Sequence, residues 1–369
     1  RFTVSDARDR RWMQRAIELG RRARYWSAPN PPVGCVLVRD DQEVGAGFTQ
    51  PAGQAHAEVM ALSDAGDANG VTAYVTLEPC SHHGQTGPCA SALIDAGVSR
   101  VVVALEDPNP EVAGRGIAAL RCAGIEVDLG EGADQVEADL AGFLLRMRRG
   151  YGRITLKIAA SLDGRTAMSS GESQWITGEE ARADVQRLRA EADLMVTGVG
   201  TVLEDDCRLT LRADELPLDG EDKERALAHP PSRMVLDSKG RTPAGARILA
   251  GGETTVITTE NITLGEPSQV VVLAMDAEGR VDIGAWVQHL EKHAFNEIMV
   301  EAGPTLSGAL LRGGWVDRLI IYQAPKLLGD DARAMAAMNF SALIEAPEFE
   351  INEVTRIGAD LRIMAAPKG

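Results

Sequence analysis

Residues 6–26 carry Trp12, Met13, Ala16, Ile17, Gly20 and Ala23 at helical spacing, so the chain opens on an amphipathic helix. Asn30-Pro31-Pro32 breaks it, because proline neither donates a backbone hydrogen bond nor tolerates a helical residue before it. Val33 to Val38 is a continuous apolar run of strand length, Asp40-Asp41 predicts a turn, and Glu43 to Phe48 reads as the hairpin partner. The pattern then predicts a short helix over Ala55–Ala65, a strand over Ala73–Leu77, a helix from Cys89 to Gly97 and a strand over Ser99–Leu105. A helix over Gly116–Ala123, a strand over Ile125–Leu129 and a helix over Asp134–Leu145 follow. The order α-β-β-α-β-α-β-α-β-α implies an α/β fold in which helices cover a sheet, with ligands gathering at the carboxyl ends of strands.

The basic stretch Arg146-Met-Arg-Arg-Gly-Tyr-Gly-Arg153 follows, and a solvated linker accounts for it. A new strand at Ile154–Ala159 starts a second α/β unit, which places the domains at 1–149 and 150–369. Leu194–Gly198 is a strand followed by Gly198-Val-Gly200-Thr201, but Leu203 stands where a dinucleotide fingerprint needs its third glycine, so the match is weak. Ile298–Glu301 is another strand. Ala302-Gly303-Pro304-Thr305-Leu306-Ser307-Gly308 then leads into a predicted helix at Ala309–Arg312; it reads as a phosphate cradle or as a plain strand-to-helix turn. Asp214 to Pro230 is acidic and polar and reads as an exposed loop.

Composition narrows the function. Hydrophobic residues are 44% and charged residues 25%, ordinary for a soluble globular chain. No apolar run reaches the roughly 20 residues of a membrane span. The first segment is charged, without the apolar core of a signal peptide, and five cysteines do not make a secreted disulfide framework; the expected compartment is the cytoplasm. A net charge of −16 argues against nucleic-acid binding but leaves room for a phosphorylated small molecule, which needs only one or two local arginines.

The chemistry concentrates between His56 and Cys89: His56-Ala57-Glu58, then Glu78-Pro79-Cys80, then Gly87-Pro88-Cys89. One imidazole and two thiolates leave a fourth zinc position open, the pattern of a catalytic site. Zinc so held lowers the pKa of bound water from ~15.7 to about 7. Glu58 is placed to shuttle protons, and the whole set has the pattern of zinc deaminases, although those have two residues between the cysteines and this chain has eight. A Cys80–Cys89 disulfide or two inert buried cysteines are the alternatives. A rigid Pro before each cysteine, and the position of Cys89 at a helix start where a thiol pKa falls, favour metal. Residues two apart on a helix do not share a face, so His56 and Glu58 can serve one water only at an irregular helix start.

These motifs resemble the bacterial bifunctional riboflavin biosynthesis deaminase-reductase family over nearly the whole chain. Pro29 to Gly34, His56-Ala57-Glu58, Thr76 to Gly84, Pro88-Cys89, Glu106 to Pro110 and Gly114-Arg115-Gly116 match its deaminase half. Lys157 to Gly164, Gly171 to Thr177, Asp205-Asp206, Leu236-Asp237-Ser238 and Ala324 to Gly329 match its reductase half. The resemblance implies a cytidine-deaminase-like three-layer domain followed by a dihydrofolate-reductase-like domain. It implies two steps: hydrolytic deamination of 2,5-diamino-6-(5-phosphoribosylamino)pyrimidin-4(3H)-one, then NADPH reduction of the ribosyl group to ribityl. By the resemblance, His56, Cys80 and Cys89 hold zinc, Glu58 moves protons, and Asn30 lies in the loop that holds the pyrimidine. NADPH falls to Ala159, Trp175, Thr201, Asp205, Ser238 and the run Gly303, Pro304, Thr305, Leu306, Ser307, Gly308 and Ala309. The phosphosugar falls to Ser173, Arg189, Leu209, Arg212 and Glu301. A homo-oligomer is expected.

Gln85 stands where many members have arginine, and Cys207 where many have proline. His82 and His83 are candidates for a supporting or substrate role. Trp175 reads as ligand or core, Arg189 as a ligand or a solvated helix charge, and Lys157 as an ion-pair partner or a ligand neighbour. The competing readings are a lone nucleoside or guanine deaminase whose second half only assembles an oligomer, and an inactive zinc-stabilised nucleotide sensor. The free carboxylate of Glu58 speaks against the second, and NADPH binding separates the first.

Overall fold

A computed structural model of the chain describes residues 7–81, 87–109, 113–265 and 268–368. It divides into two compact units, Arg1–Gly150 and Tyr151–Gly369. The first runs α1 (Ala7–Ala23), β1 (Gly34–Arg39), β2 (Gln42–Phe48), α2 (Ala57–Ala65), β3 (Thr72–Leu77), α3 (Cys89–Asp95), β4 (Arg100–Leu105), α4 (Arg115–Cys122), β5 (Glu126–Leu129), α5 (Ala133–Asp139) and α6 (Ala141–Arg149). Among the described residues its sheet has five strands in the order β2-β1-β3-β4-β5. β1 pairs antiparallel with β2 and β3, while β3, β4 and β5 run parallel. The stripe of α1 buries Trp12, Met13, Ala16 and Ile17 in the same core as Val36, Leu37, Tyr74, Val75 and Val102. Gly34 is required there, since a Cβ would sit 1.9 Å from the Ala16 carbonyl oxygen.

The second unit runs β6 (Arg153–Ser161), β7 (Arg165–Ala167), α7 (Glu179–Ala190), β8 (Leu194–Gly198), α8 (Val199–Asp205), α9 (Gly220–Ala228), β9 (Ser232–Leu236), β10 (Thr254–Thr258), β11 (Gln269–Val272) and α10 (Ile283–Leu290). It continues through β12 (Glu297–Glu301), α11 (Pro304–Arg312), β13 (Arg318–Ala324), β14 (Arg333–Ala334), β15 (Phe349–Ile357) and β16 (Asp360–Pro367). Its nine-stranded sheet, among the described residues, has the order β11-β10-β9-β8-β12-β6-β13-β16-β15. From β11 to β13 the neighbours are parallel, and the antiparallel pair β16–β15 closes one edge. The core packs Ile154, Leu156, Val196, Trp286, Ile298 and Val300 between sheet and helices.

Three local expectations are corrected. The helix expected over Asp134–Leu145 is two, because Leu140 leaves the helical region (φ −97, ψ 8) and caps both α5 and α6; an apolar pattern that continues through a one-residue break cannot reveal it. The exposed loop expected over Asp214–Pro230 contains α9, whose Arg225 Nε bonds Glu221 Oε1 at 3.0 Å one turn away. Only Ala226 of that helix is buried, so it carries no apolar stripe to recognise. The helix expected at Ala309 begins at Pro304, with Gly303 as N-cap and proline in the first turn, where its missing N–H costs nothing.

Candidate active sites of the two units

In the first unit, β3 ends just before Glu78-Pro79-Cys80, and Cys89 opens α3 behind Pro88 (φ −61, ψ 129). His56 is the N-cap of α2, in extended backbone (φ −78, ψ 168), and Glu58 lies in the first turn. This irregular start brings Glu58 beside His56 and both cysteines. The His56 Nδ1 lies 3.7 Å from Cys80 Sγ and 3.3 Å from Cys89 Sγ, and the three ligand atoms all lie within 4.8 Å of one another. Tetrahedral zinc with Zn–S of about 2.3 Å and Zn–N of about 2.0 Å spaces its ligands roughly 3.5–3.8 Å apart. The set therefore fits zinc in distance and in donor chemistry. Both cysteines are free thiols, so the disulfide alternative falls away.

The electrostatics suit a metal thiolate. Hydrogen bonds from the Cys89 thiol, from His56 and from the Cys89 backbone N–H hold the Cys80 thiol down to about 4, against the opposing effect of burial. The hydrogen bond to Cys80, with burial, pushes the Cys89 thiol up. Glu58 is 4% exposed, and burial first, then the Cys80 charge, push its carboxyl up to about 7. It can thus both accept and return a proton near neutrality. Asn30 sits half-buried in the turn before β1, its N–H bonded to Ser27 O at 2.9 Å. His82, His83 and Gln85 lie outside the described residues.

The second unit holds a cavity of about 650 Å³ at the carboxyl ends of β8 and β12. Ala159, Trp175, Thr201, Asp205, Gly303 and Pro304 line it, as do Ser173, Arg189, Leu209, Arg212 and Glu301. Glu301 is its electrostatic centre. Arg189 donates to both carboxylate oxygens (2.6 and 3.0 Å), and Lys157 to one (3.2 Å). The Lys157 pairing is fixed by sheet register, since Glu301 lies opposite Lys157 on parallel neighbours. Burial works to raise the Glu301 carboxyl, but the two cations outweigh it and hold the group well below the usual carboxylate range. Trp175 is 55% exposed, so it is no core residue, and the Arg182 guanidinium stacks 4.6 Å over its ring. Ser173 donates to Asp205 at 3.4 Å.

The cavity wall is open at Gly303. Gly303 has ordinary backbone angles (φ −72, ψ 178), so no turn demands glycine. A Cβ there would meet nothing nearer than Thr201 Oγ1 at 3.9 Å and would project into open space. Arg212 bonds Glu215 at 2.7 Å, while its Nε is buried without a partner among the described residues. Ser238, Thr305, Leu306, Ser307, Gly308 and Ala309 do not line the cavity. Ser238 instead accepts from Val281 N at 2.9 Å, Ser307 donates to Ala302 O at 3.2 Å, and Gly308 makes room for the Ala337 backbone, 2.2 Å from where its Cβ would be.

Two family models match this chain: the cytidine and deoxycytidylate deaminase zinc-binding region over residues 6–105, and the RibD C-terminal domain over residues 153–363. The riboflavin biosynthesis protein RibD of Escherichia coli is 48% identical over 363 residues, covering 96% of this chain and 98% of that protein. The chain belongs to the RibD family. The Acinetobacter baumannii RibD structure superposes with a TM-score of 0.90 at 44% identity, covering 98% of this chain and 99% of that one. A diaminohydroxyphosphoribosylaminopyrimidine deaminase/5-amino-6-(5-phosphoribosylamino)uracil reductase from Thermotoga maritima superposes with 0.86 at 29% identity, with the same coverage. RibD proteins are bifunctional deaminase–reductases of riboflavin biosynthesis, with a deaminase domain and a reductase domain that call for zinc and NADPH. No helix among the described residues is long and apolar enough to cross a membrane.

Within this RibD chain, the sequence patterns passed over Arg182, Glu204, Arg208, Arg247 and Arg333, which also line the cavity of the second unit. Arg333 and Glu204 pair across it at 2.7 Å. They come from distant segments, and no local motif joins them. The departure at Cys207 lies on the cavity wall, where burial and the Glu301 charge push its thiol up to about 12. Asp163 and the Ala324–Gly329 motif meet: Asp163 accepts from Leu328 N (3.1 Å) and Gly329 N (2.8 Å).

Proposed function

We propose that the first unit deaminates 2,5-diamino-6-(5-phosphoribosylamino)pyrimidin-4(3H)-one and that the second reduces the ribosyl group of the resulting aminouracil to ribityl. Zinc, when held by His56, Cys80 and Cys89, supplies a hydroxide nucleophile at neutral pH. Glu58 takes the proton of the attacking water and returns it to the departing amino group, so that the ring gains a carbonyl oxygen and ammonia leaves. Its burial and raised pKa support both halves of that cycle. Asn30 orients the pyrimidine ring.

NADPH, when bound, supplies the hydride that opens the sugar at C1′. Ala159, Trp175, Thr201, Asp205, Gly303 and Pro304 form its berth in this reading. Thr305 and Leu306 add the free N–H groups of the α11 start for a phosphate. Ser238, Ser307, Gly308 and Ala309 complete the cofactor set, with Ser307 and Gly308 acting through the packing that shapes that helix start. Ser173, Arg189, Leu209, Arg212 and Glu301 hold the phosphosugar. The Arg212 Nε, without a partner among the described residues, supports this. The single observation that carries the reading is the buried Glu58 beside the His56–Cys80–Cys89 cluster, on the same chain as a separate open cavity.

The same reading places the enzyme in the cytoplasm as a homo-oligomer. Leu343 (92% exposed), Ile344 (94%), Ile351 (61%) and Val354 (56%), on and near the edge strand β15, support self-association. The test is separation of the two activities in the full-length protein. Glu58→Gln should lower ammonia release by about 10²–10⁴-fold yet leave reduction of supplied deaminated substrate intact. Loss of both together, or of neither, would refute the assignment.

A further inference from the structure

Glu78 precedes metal-ligand candidate Cys80 by two residues, and neither zinc ligation nor proton transfer uses it. It is 4% exposed. Its Oε2 accepts from the backbone N–H groups of Asp107 (3.2 Å) and Gly114 (2.9 Å), and its Oε1 from those of Gly116 (2.8 Å) and Ile117 (3.2 Å). The last two belong to the first turn of α4. That helix has Gly114 as N-cap (φ 71), with no side-chain cap of its own. Glu78 therefore caps α4 from 36 or more residues away. The contact is close: a Cβ on Gly116 would lie 1.9 Å from the Pro79 carbonyl oxygen. Beyond Pro79, Cys80 Sγ accepts from Cys89 N at 3.3 Å, and Cys80 O accepts from Ala90 N at 3.1 Å. The strand end that carries Cys80 is thus clamped between the starts of α4 and α3.

We propose that Glu78 is a positioning residue for the Cys80 thiolate, tying the ligand-bearing end of β3 to helix α4 so that the thiolate meets zinc without rearrangement. This rests on the reading of His56, Cys80 and Cys89 as zinc ligands. Metal–ligand distances tolerate only about 0.2 Å, so a loop held by one end would hold zinc less tightly. Groups that support ligands from behind typically change metal affinity 10–100-fold when removed. Glu78→Gln keeps the shape but turns an amide donor toward two N–H donors. Gly116→Ala keeps the carboxylate and pushes Pro79 away.

The experiment is zinc affinity of the full-length protein by chelator competition, with the visible spectrum of the cobalt(II)-substituted protein as a report on thiolate ligation geometry. Near-ultraviolet circular dichroism and NADPH-dependent reduction serve as folding controls. Glu78→Gln and Gly116→Ala should each weaken zinc 10–100-fold and alter the cobalt spectrum, with Glu78→Asp between them and the parent. Either Glu78→Gln or Gly116→Ala folded with parental zinc affinity and cobalt spectrum would overturn the proposal. Should neither fold, Glu78→Asp decides, and unchanged affinity and spectrum there would overturn it. Cys80→Ser separates the two claims: if it keeps full zinc, the metal-site reading itself is wrong; if it loses zinc while the Glu78 and Gly116 variants do not, only the positioning role fails.

Discussion

Replacing Glu301 by Gln removes the one carboxylate that faces both Arg189 and Lys157, whose side chains are 14% and 13% exposed. Two mostly buried cations then lose the carboxylate they both bond, and the remaining acidic neighbour that acts on Arg189, Glu215, offsets this only in part. Removing one partner of a buried ion pair costs about 3–5 kcal/mol. In a unit of this size, each kcal/mol moves the midpoint by about 2–4 °C, so the Tm of the second unit should fall by roughly 6–20 °C. Scanning calorimetry of the full-length protein measures this, with the transition of the first unit as an internal reference. The pH dependence is a second check. The Glu301 carboxyl is held below its unfolded value of 4.5, so its stabilisation is present above about pH 4.5 and is lost as pH falls toward the folded value. The gap between parent and variant should narrow on acidification below that point. Lys157→Met in the Glu301→Gln background should recover part of the loss, because it removes one stranded charge. A Tm within 1–2 °C of the parent, on the order of what a surface change gives, or a gap that stays constant with pH, would refute the electrostatic account.

Glu58→Gln should lower deamination by about 10²–10⁴-fold with zinc content unchanged, measured by ammonia release and metal analysis; zinc loss would make Glu58 a ligand instead. Cys80→Ser and Cys89→Ser should each lose the zinc, while replacing Cys35, Cys122 or Cys207 should leave about one zinc per chain; full occupancy in Cys89→Ser would break the assigned ligand set. Gly303→Val should fold, since its backbone angles suit any residue, yet raise the Kd for NADPH by about tenfold or more by filling the space beside Thr201. Unchanged NADPH titration would remove Gly303 from the cofactor berth.

Much of this architecture was legible along the chain, and the exceptions have physical causes. The stripe from Trp12 to Ala23 and the apolar runs at Val33–Val38 and Ser99–Leu105 mark α1, β1 and β4 because each buries one face or both. Helix α9 buries only Ala226, so periodicity has nothing to register. The His56–Cys80–Cys89 cluster, which fits zinc, was readable because metal chemistry needs particular residue types in short motifs. Its geometry was not, since only the extended backbone of His56 shows how Glu58 shares the site. The Glu301–Arg189–Lys157 centre is a product of sheet register: Lys157 and Glu301 are 144 residues apart and meet because β6 and β12 are neighbours. The role of Glu78 is likewise long-range, with backbone partners that no side-chain motif encodes.

The central claim is that one chain carries both reactions at separate sites. It is tested most directly by incubating the full-length, zinc-loaded protein with the diaminopyrimidine phosphoribosylamine substrate, with and without NADPH, and identifying products by mass spectrometry. Without NADPH, the expected product has one amino group exchanged for a carbonyl oxygen and an intact ribosyl group. With NADPH, that product should gain two hydrogens as ribosyl becomes ribityl, with matching NADPH consumption. Deamination with no NADPH-dependent second product would leave the second unit without its assigned activity and contradict the account.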